Sequence, residues 1–258
     1  MTTHRFAHGW VLLALLTLLG LLLAGCASAE RHSDRELPGA ERVYALVNAH
    51  LIPIAVPGVV AHQTLIVAQG RIQAIGSADQ IQIPPKAEVI DLRGRYVLPG
   101  FVDMHVHLAD ERDLLLFLRH GVTTVRNMAA YPWWTTLLGS VDPLVLRQKV
   151  KAGELLGPDI FTCGPMLEGE PAQNLLTRVI DTPAQAEAAV REIANAGYDC
   201  VKVYNHLGKP AFEAVIRAAW LHDLPVMGHV PYDLGLDGAL KAGMRTIEHL
   251  NPYIDNFA

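Results

Sequence analysis

Residues 97–108 read VLPGFVDMHVHL, an apolar run broken by a Pro-Gly step and ending in two histidines one valine apart. Phe101, Val102, Met104 and Val106 are of the residue types that a buried strand carries. Side chains alternate across a strand, so His105 and His107 share one face. Two imidazoles on one face can hold a metal ion jointly, which offsets the cost of placing polar groups in an apolar strand. The stretch also divides the chain: before it the sequence has the period of short strands, and after Gly100 strands and helices alternate.

The downstream part decides the fold class. GFVDMHVHL is followed by DERDLLLFLRHG, whose leucines recur at helical spacing and which stops at Gly121. GVTTVRNMA, DIFTCGP, YDCVKVY, LPVMGHV and MRTIEHL follow as strand candidates, with helical runs between most of them. TPAQAEAAVREIANAG is the clearest helix, with Thr182 as N-cap, Pro183 in the first helical position and Gly197 just past the end. These six βα-type repeats predict an α/β fold with a parallel sheet, a TIM-like (β/α)8 barrel, incomplete, with about six strands within residues 99–258. Upstream, residues 43–98 contain YALVNAHLI, QTLIVAQGRIQAIG and AEVIDLRGRYVL, broken at Gln69-Gly70 and Arg93-Gly94, and predict part of a small antiparallel β-sandwich domain.

Residues 1–26 read as a targeting segment. Arg5 stands without a nearby acid, and the thirteen-residue apolar run Val11–Leu23 is shorter than the roughly 20 residues of a permanent membrane span. LAGC, Leu23–Cys26, resembles a bacterial lipobox, which implies lipidation of Cys26, export, and anchoring to a membrane on the periplasmic side of the cell envelope. An uncleaved anchor, or cleavage near Ala27–Ala29, are the alternatives. Residues 27–42 read as a polar tether. At 51% apolar residues and a formal charge of -5, the chain suits a globular protein and gives no sign of a nucleic-acid partner. Cys163 and Cys200 fall in predicted buried strands and read as free core thiols, with a disulfide as the second reading.

The spacing of the remaining candidates follows the repeat. Lys202, His229 and His249 stand at the ends of the fourth, fifth and sixth predicted strands, 27 and 20 residues apart. With His105 and His107 they reach one rim. Lys202 is the member that needs explaining, because an ammonium repels a cation. Burial depresses a lysine pKa and leaves a nucleophilic amine, which can take up carbon dioxide to become a carbamate, an anionic oxygen ligand.

PGFVDMHVHL, YDCVKVY, MGHVP and MRTIEHL together resemble the first, fourth, fifth and sixth strand motifs of the amidohydrolase superfamily, in its binuclear group with a carboxylated lysine. The VKVY and IEHL wording is similar to the imidazolonepropionase-related and Xaa-Pro dipeptidase branches, and the likeness runs from about Tyr44 onward. The resemblance implies two divalent metal ions, zinc by usual preference. His105 and His107 would hold one, His229 and His249 the other, with carboxylated Lys202 between them. It further implies that a metal-bridged hydroxide cleaves an amide or cyclic amide, with a dipeptide, N-acyl amino acid or related small molecule as substrate. Tyr204 and His206, on the loop leaving the fourth strand, are the substrate-contact candidates, and a homo-oligomer is compatible with a full-length form.

In the family an aspartate at the end of the eighth strand ligates a metal and shuttles the proton. No residue of this sequence corresponds to it, so the expected catalytic aspartate lies beyond Ala258, and Asp255 is too close to His249 to take its place. The expectation is therefore an N-terminal portion of a longer enzyme. An inactive fragment and a metal-binding lipoprotein are the competing readings.

Other polar residues have plainer readings. His120, His206 and His222 are expected to be hydrogen-bonded core residues, with His120 at a helix end. Asp103 is either a carboxylate orienting an imidazole from the same face as His105 or a polar residue near the barrel floor. Trp133 and Trp134 either line a substrate pocket or pack a loop onto a helix. Glu168 and Glu170 read as solvated loop charges.

Overall fold

A computed structural model describes residues 42–131, 141–173 and 176–254. Cys26, Trp133, Trp134, Asp255 and Ala258 lie outside these residues, and so does the expectation of a catalytic aspartate beyond Ala258. Among the described residues no helix is long and apolar enough to cross a membrane.

Five strands, β1 (Val43–Leu51), β2 (Val60–Ala68), β3 (Arg71–Ser77), β4 (Glu88–Asp91) and β5 (Tyr96–Val97), form one sheet in the order β3-β2-β1-β4, with β5 also on β1. Gln69 and Gly70 sit at φ 52° and 68°, the left-handed pair a two-residue hairpin needs, and join β2 to β3 antiparallel. Arg93-Gly94 also has positive φ but makes no hairpin, because β4 and β5 both run parallel to β1. Asp91 accepts from Asn48 Nδ2 at 2.8 Å and from the Arg93 amide at 2.9 Å, so the turn kinks a path that continues along β1. The purely antiparallel unit expected here is thus a mixed sheet. Its buried centre is Ala49, Leu51 and Leu65.

After Gly100 the strands β6 (Phe101–Val106), β7 (Val122–Asn127) and β8 (Asp159–Thr162) form one parallel sheet. A second parallel sheet has the order β10-β9-β11-β12-β13 and comprises β9 (Leu167–Glu168), β10 (Arg178–Val179), β11 (Val201–Val203), β12 (Val226–Gly228) and β13 (Thr246–Ile247). The interleaved helices are α1 (Asp113–Arg119), α2 (Pro143–Lys151), α3 (Pro183–Ala196), α4 (Lys209–Leu221), α5 (Gly235–Ala242) and α6 (Asn251–Ile254). Helix α3 starts and stops as its sequence predicts. Thr182 and Gln185 form a reciprocal capping box, and Gly197 closes the end at φ 81°. Strands β9 and β10 form in a stretch whose sequence pattern predicts a loop.

A parallel bridge between Cys163 and Cys200 joins the two sheets, and the two residues form a disulfide with Cα atoms 4.3 Å apart. The free-thiol expectation is therefore corrected. The third and fourth main strands lie side by side, in a register that puts the two sulfurs opposite each other.

The two faces of the parallel strands differ in chemistry. Toward the helices, Val125 and Ile160 pack with Leu114 and Leu146, while Val201, Val203 and Val226 pack with Val190, Ile193, Phe212 and Val215. Each such fully buried side chain contributes about 1.5–3 kcal/mol. The opposite face carries Met128, Cys163, Cys200 and Met227 as a small cluster, with Lys202 and Glu248 also buried.

Candidate functional site

The site lies where the parallel strands end. Two residues of β6, Met104 and His105, oppose one of β7, Arg126, between the pairs Asp103–Val125 and Val106–Asn127. That bulge breaks the simple alternation. Asp103 pairs with Val125, a helix-side residue, so it does not share the face of His105; its Oδ1 accepts from the His105 backbone amide at 3.1 Å. His105 and His107 nonetheless lie together, with ring centroids 5.4 Å apart. His249 lies 4.8 Å from His105 and 4.9 Å from His229, so the four imidazoles form a contiguous group.

Lys202 is 1% exposed, and its side chain makes no hydrogen bond or ion pair among the described residues. Burial pulls its ammonium down to about 8, with Glu248 opposing and Arg126 reinforcing the shift. Its charge is felt by His105, His107 and His229, which places it among them. Gly228 makes this arrangement possible. It sits at φ 132°, and a Cβ there would lie 2.2 Å from the Val203 carbonyl oxygen and 3.0 Å from Lys202 Cδ. Only glycine lets the chain entering His229 come this close to β11.

Burial lowers the pKa of His105, of His107 and of His229, the last to about 3, so all three are neutral imidazoles near pH 7. Which nitrogen remains free is set by neighbours absent from the sequence reading. Glu248 Oε2 lies 2.7 Å from His105 Nδ1, and Asn205 Oδ1 lies 2.6 Å from His229 Nδ1. A carboxylate and an amide oxygen only accept, so each Nδ1 carries the proton and each Nε2 keeps a lone pair. Burial pulls the Glu248 pKa up, but His105, Arg126 and Thr246 together bring it below its ordinary value, so the group is ionised. Arg126 Nη2 and Thr246 Oγ1 donate to Oε1 of Glu248 at 2.7 and 3.0 Å, and Arg126 Nε donates to the Met104 carbonyl at 2.8 Å. The orienting carboxylate is thus Glu248, not Asp103. Its only sequence signal was its place directly before His249 in IEHL.

The substrate-contact candidates take distinct places. The Tyr204 ring lies 4.0 Å from the His229 ring, and burial, followed by the charge of Glu168, raises its phenol pKa. His206 is half-buried; Nδ1 meets the Pro171 carbonyl, and Gln173 Nε2 lies 3.4 Å from Nε2. Tyr131 stacks near His107 at 6.5 Å. His120 and His222 are exposed C-caps of α1 and α4, not core residues. Glu168 corrects a further expectation: it is 0% exposed, on β9, whereas Glu170 is exposed as expected.

The donor set fits divalent metal ions in its chemistry, with neutral imidazoles aimed by second partners and a depressed lysine among them. No group of three or more His, Cys, Asp or Glu among the described residues closes to metal-binding geometry.

Comparison with known proteins bears on this set. The amidohydrolase family profile matches residues 88–131, which contain His105 and His107. A dihydroorotase of Geotalea daltonii is 30% identical over 174 residues, covering 64% of this chain and 36% of the relative. Among solved structures, a bottromycin amidohydrolase superposes with a TM-score of 0.66 at 28% identity, over 82% of this chain and 44% of the other. A Xaa-Pro dipeptidase with bound methionine superposes with a TM-score of 0.63 at 23% identity, over 84% of this chain and 65% of the other. The chain therefore shares the α/β fold of these amidohydrolases and spans about a third of the length of the dihydroorotase.

Proposed function

We infer that this chain is a member of the amidohydrolase superfamily, a reading those likenesses support, and a metal-dependent hydrolase of amide or cyclic amide C–N bonds. Dipeptides, N-acyl amino acids or related acyl-amino compounds are its substrate class. The observation that carries the reading is the grouping of His105, His107, His229 and His249 around buried Lys202, with the free nitrogens of His105 and His229 set by Glu248 and Asn205.

His105 and His107 would hold one divalent ion, His229 and His249 the other, and carboxylated Lys202 would lie between them. That division asks only two imidazoles of each ion, and imidazole with oxygen donors suits zinc. When bound, such ions supply carbonyl polarisation and acidify a water molecule. The chain's own residues prepare for this. The Lys202 amine, down to about 8, has a neutral fraction near pH 7 that can add carbon dioxide, forming an N–C bond and releasing one proton. Glu248, held by Arg126 and Thr246, fixes the His105 ring. Tyr204 and His206 border the place a substrate would take.

The wider architecture belongs to the same proposal. Residues 99–258 would be strands one to six of a (β/α)8 barrel, and residues 43–98 part of a small β-sandwich domain. Residues 1–26 would be a lipoprotein signal and 27–42 a tether, with Cys26 lipidated and the protein on the periplasmic side of the cell envelope.

The test is metal content and turnover of the protein prepared with Zn²⁺ and bicarbonate. Two ions per chain and hydrolysis of some member of a panel of Xaa-Pro dipeptides and N-acyl amino acids are expected. Lys202→Ala should weaken metal retention at least ~10-fold, with partial recovery by added acetate or propionate, a loss that matches one or two charge-assisted contacts. Two tightly held ions in Lys202→Ala would overturn the bridge, and a wholly inert panel would overturn the activity.

A further inference from the structure

Glu168 is a buried carboxylate that the proposed metal chemistry does not use. Its partner strand shows where it points. Leu167 pairs with Val203, and both side chains pack in the helix-side cluster. The next residue on each strand faces the other way, so Glu168 and Tyr204 lie on the face that carries Lys202. Tyr204 in turn rests against His229. Glu168 is thus one aromatic ring removed from the histidine group, on the side from which β9 and β11 border it.

The carboxylate is half satisfied. Oε2 accepts from the Gln173 amide at 3.0 Å, whereas Oε1 is buried and has no hydrogen-bond partner. An orphaned buried carboxylate oxygen has given up its water without gaining a partner, which is costly for a charged group. The other buried acid of the site, Glu248, shows the contrast, since both of its oxygens are engaged, one of them by Arg126. No cationic side chain is paired with Glu168 among the described residues. The segment from Gly169 to Gln173 is fixed over it by the contacts of His206 with Pro171 and Gln173.

We propose that Glu168 Oε1 is the recognition point for a protonated amine on the substrate, so that the substrates are amides bearing a free ammonium on the acyl side of the scissile bond. This deepens the hydrolase reading above and rests on it. The amine can be the α-ammonium of an N-terminal residue or an ammonium on that residue's side chain; both offer the same charged N–H donors to the same oxygen. Substrates whose amine is acylated leave Oε1 unpaired, and that penalty is the source of selectivity.

The experiment compares Ala-Pro, N-acetyl-Ala-Pro and N-acetyl-Lys-Pro on the zinc-loaded protein by kcat/KM, and on metal-stripped protein by calorimetric binding. Ala-Pro should be favoured over N-acetyl-Ala-Pro by about 10-fold or more in both, the size of one hydrogen bond to a charged group. N-acetyl-Lys-Pro regaining the preference would assign the amine to the side chain; failing to do so would assign it to the α-position. Glu168→Gln should bring the free and acetylated compounds within ~2-fold, and Glu168→Asp, which withdraws the carboxylate by one methylene, should fall between. If none of the three is hydrolysed, the hydrolase reading fails while the binding comparison still judges Glu168. Equal binding of Ala-Pro, N-acetyl-Ala-Pro and N-acetyl-Lys-Pro by the wild type overturns the proposal without any variant. So does a preference that survives Glu168→Gln. A fall in zinc content in Glu168→Gln would overturn it as well, by making Glu168 a metal ligand.

Discussion

The two faces of the parallel strands are built on different rules. Toward the helices, Val125, Ile160, Val201, Val203 and Val226 meet aliphatic helix residues, and each contact is non-directional and replaceable by another apolar group of similar size. On the opposite face, Arg126, Lys202 and Glu248 are buried beside the histidines, and Arg126 and Glu248 are held by directional contacts with specific partners. The first face gives stability through area. The second spends some of it on groups that are useful only in one arrangement, so the two should respond differently to the same perturbation.

The largest effects should separate them by pH. Phe212→Ala in the helix layer and Arg126→Met on the site face should each cost about 3–5 kcal/mol, the first by a cavity and the second by leaving Glu248 buried without its countercharge. Glu248 has a lowered folded pKa, so the stability it contributes is present above the unfolded value and is lost as pH falls through the folded one. The cost of Arg126→Met should therefore shrink in denaturant titrations between pH 7 and pH 4, and the cost of Phe212→Ala should not. Equal pH profiles would erase the distinction between the faces.

Next is the seam between the two sheets. Replacing both Cys163 and Cys200 with alanine opens a loop of sequence separation 37, which in the chain-entropy account costs about 4 kcal/mol. Under reducing conditions the wild type should lose a comparable amount, and the double variant should lose nothing further. A thermal midpoint indifferent to reductant would remove the disulfide from the account.

A smaller effect comes from His229. Its folded pKa of about 3 lies below the unfolded value of about 6.5, so the unfolded chain takes up the proton first and stability falls as pH drops through that window. For metal-free protein this one group contributes a loss of about 2 kcal/mol between pH 6.5 and pH 5, and His229→Gln should flatten that part of the profile. At the small end, His120→Ala at the exposed end of α1 should change stability by less than about 0.5 kcal/mol and leave metal content untouched.

Period and spacing were enough to read the succession of strands and helices after Gly100, the caps of α3, and the positions of His105, His107, Lys202, His229 and His249. Those features depend on neighbours within a few residues or on a repeat whose length the helices impose. The mixed pairing of β4 and β5 escaped the reading because Arg93-Gly94 is the same dipeptide signal whether the chain reverses or only kinks. The bulge in β6 escaped it because strict alternation is assumed wherever the sequence alternates, and one extra residue between Asp103 and Val106 moved Asp103 to the other face.

By itself, then, the sequence determined which residue types could do chemistry and along which strands they would fall, because propensity and periodicity are local. Only the tertiary structure decided their partners. Glu248 reaches His105 across 143 residues, Arg126 reaches Glu248 across 122, and Glu168 becomes a buried carboxylate once β9 pairs with β11. Hydrogen bonds and burial depend on where strands meet in space, and no local pattern encodes the meeting of two distant strand ends.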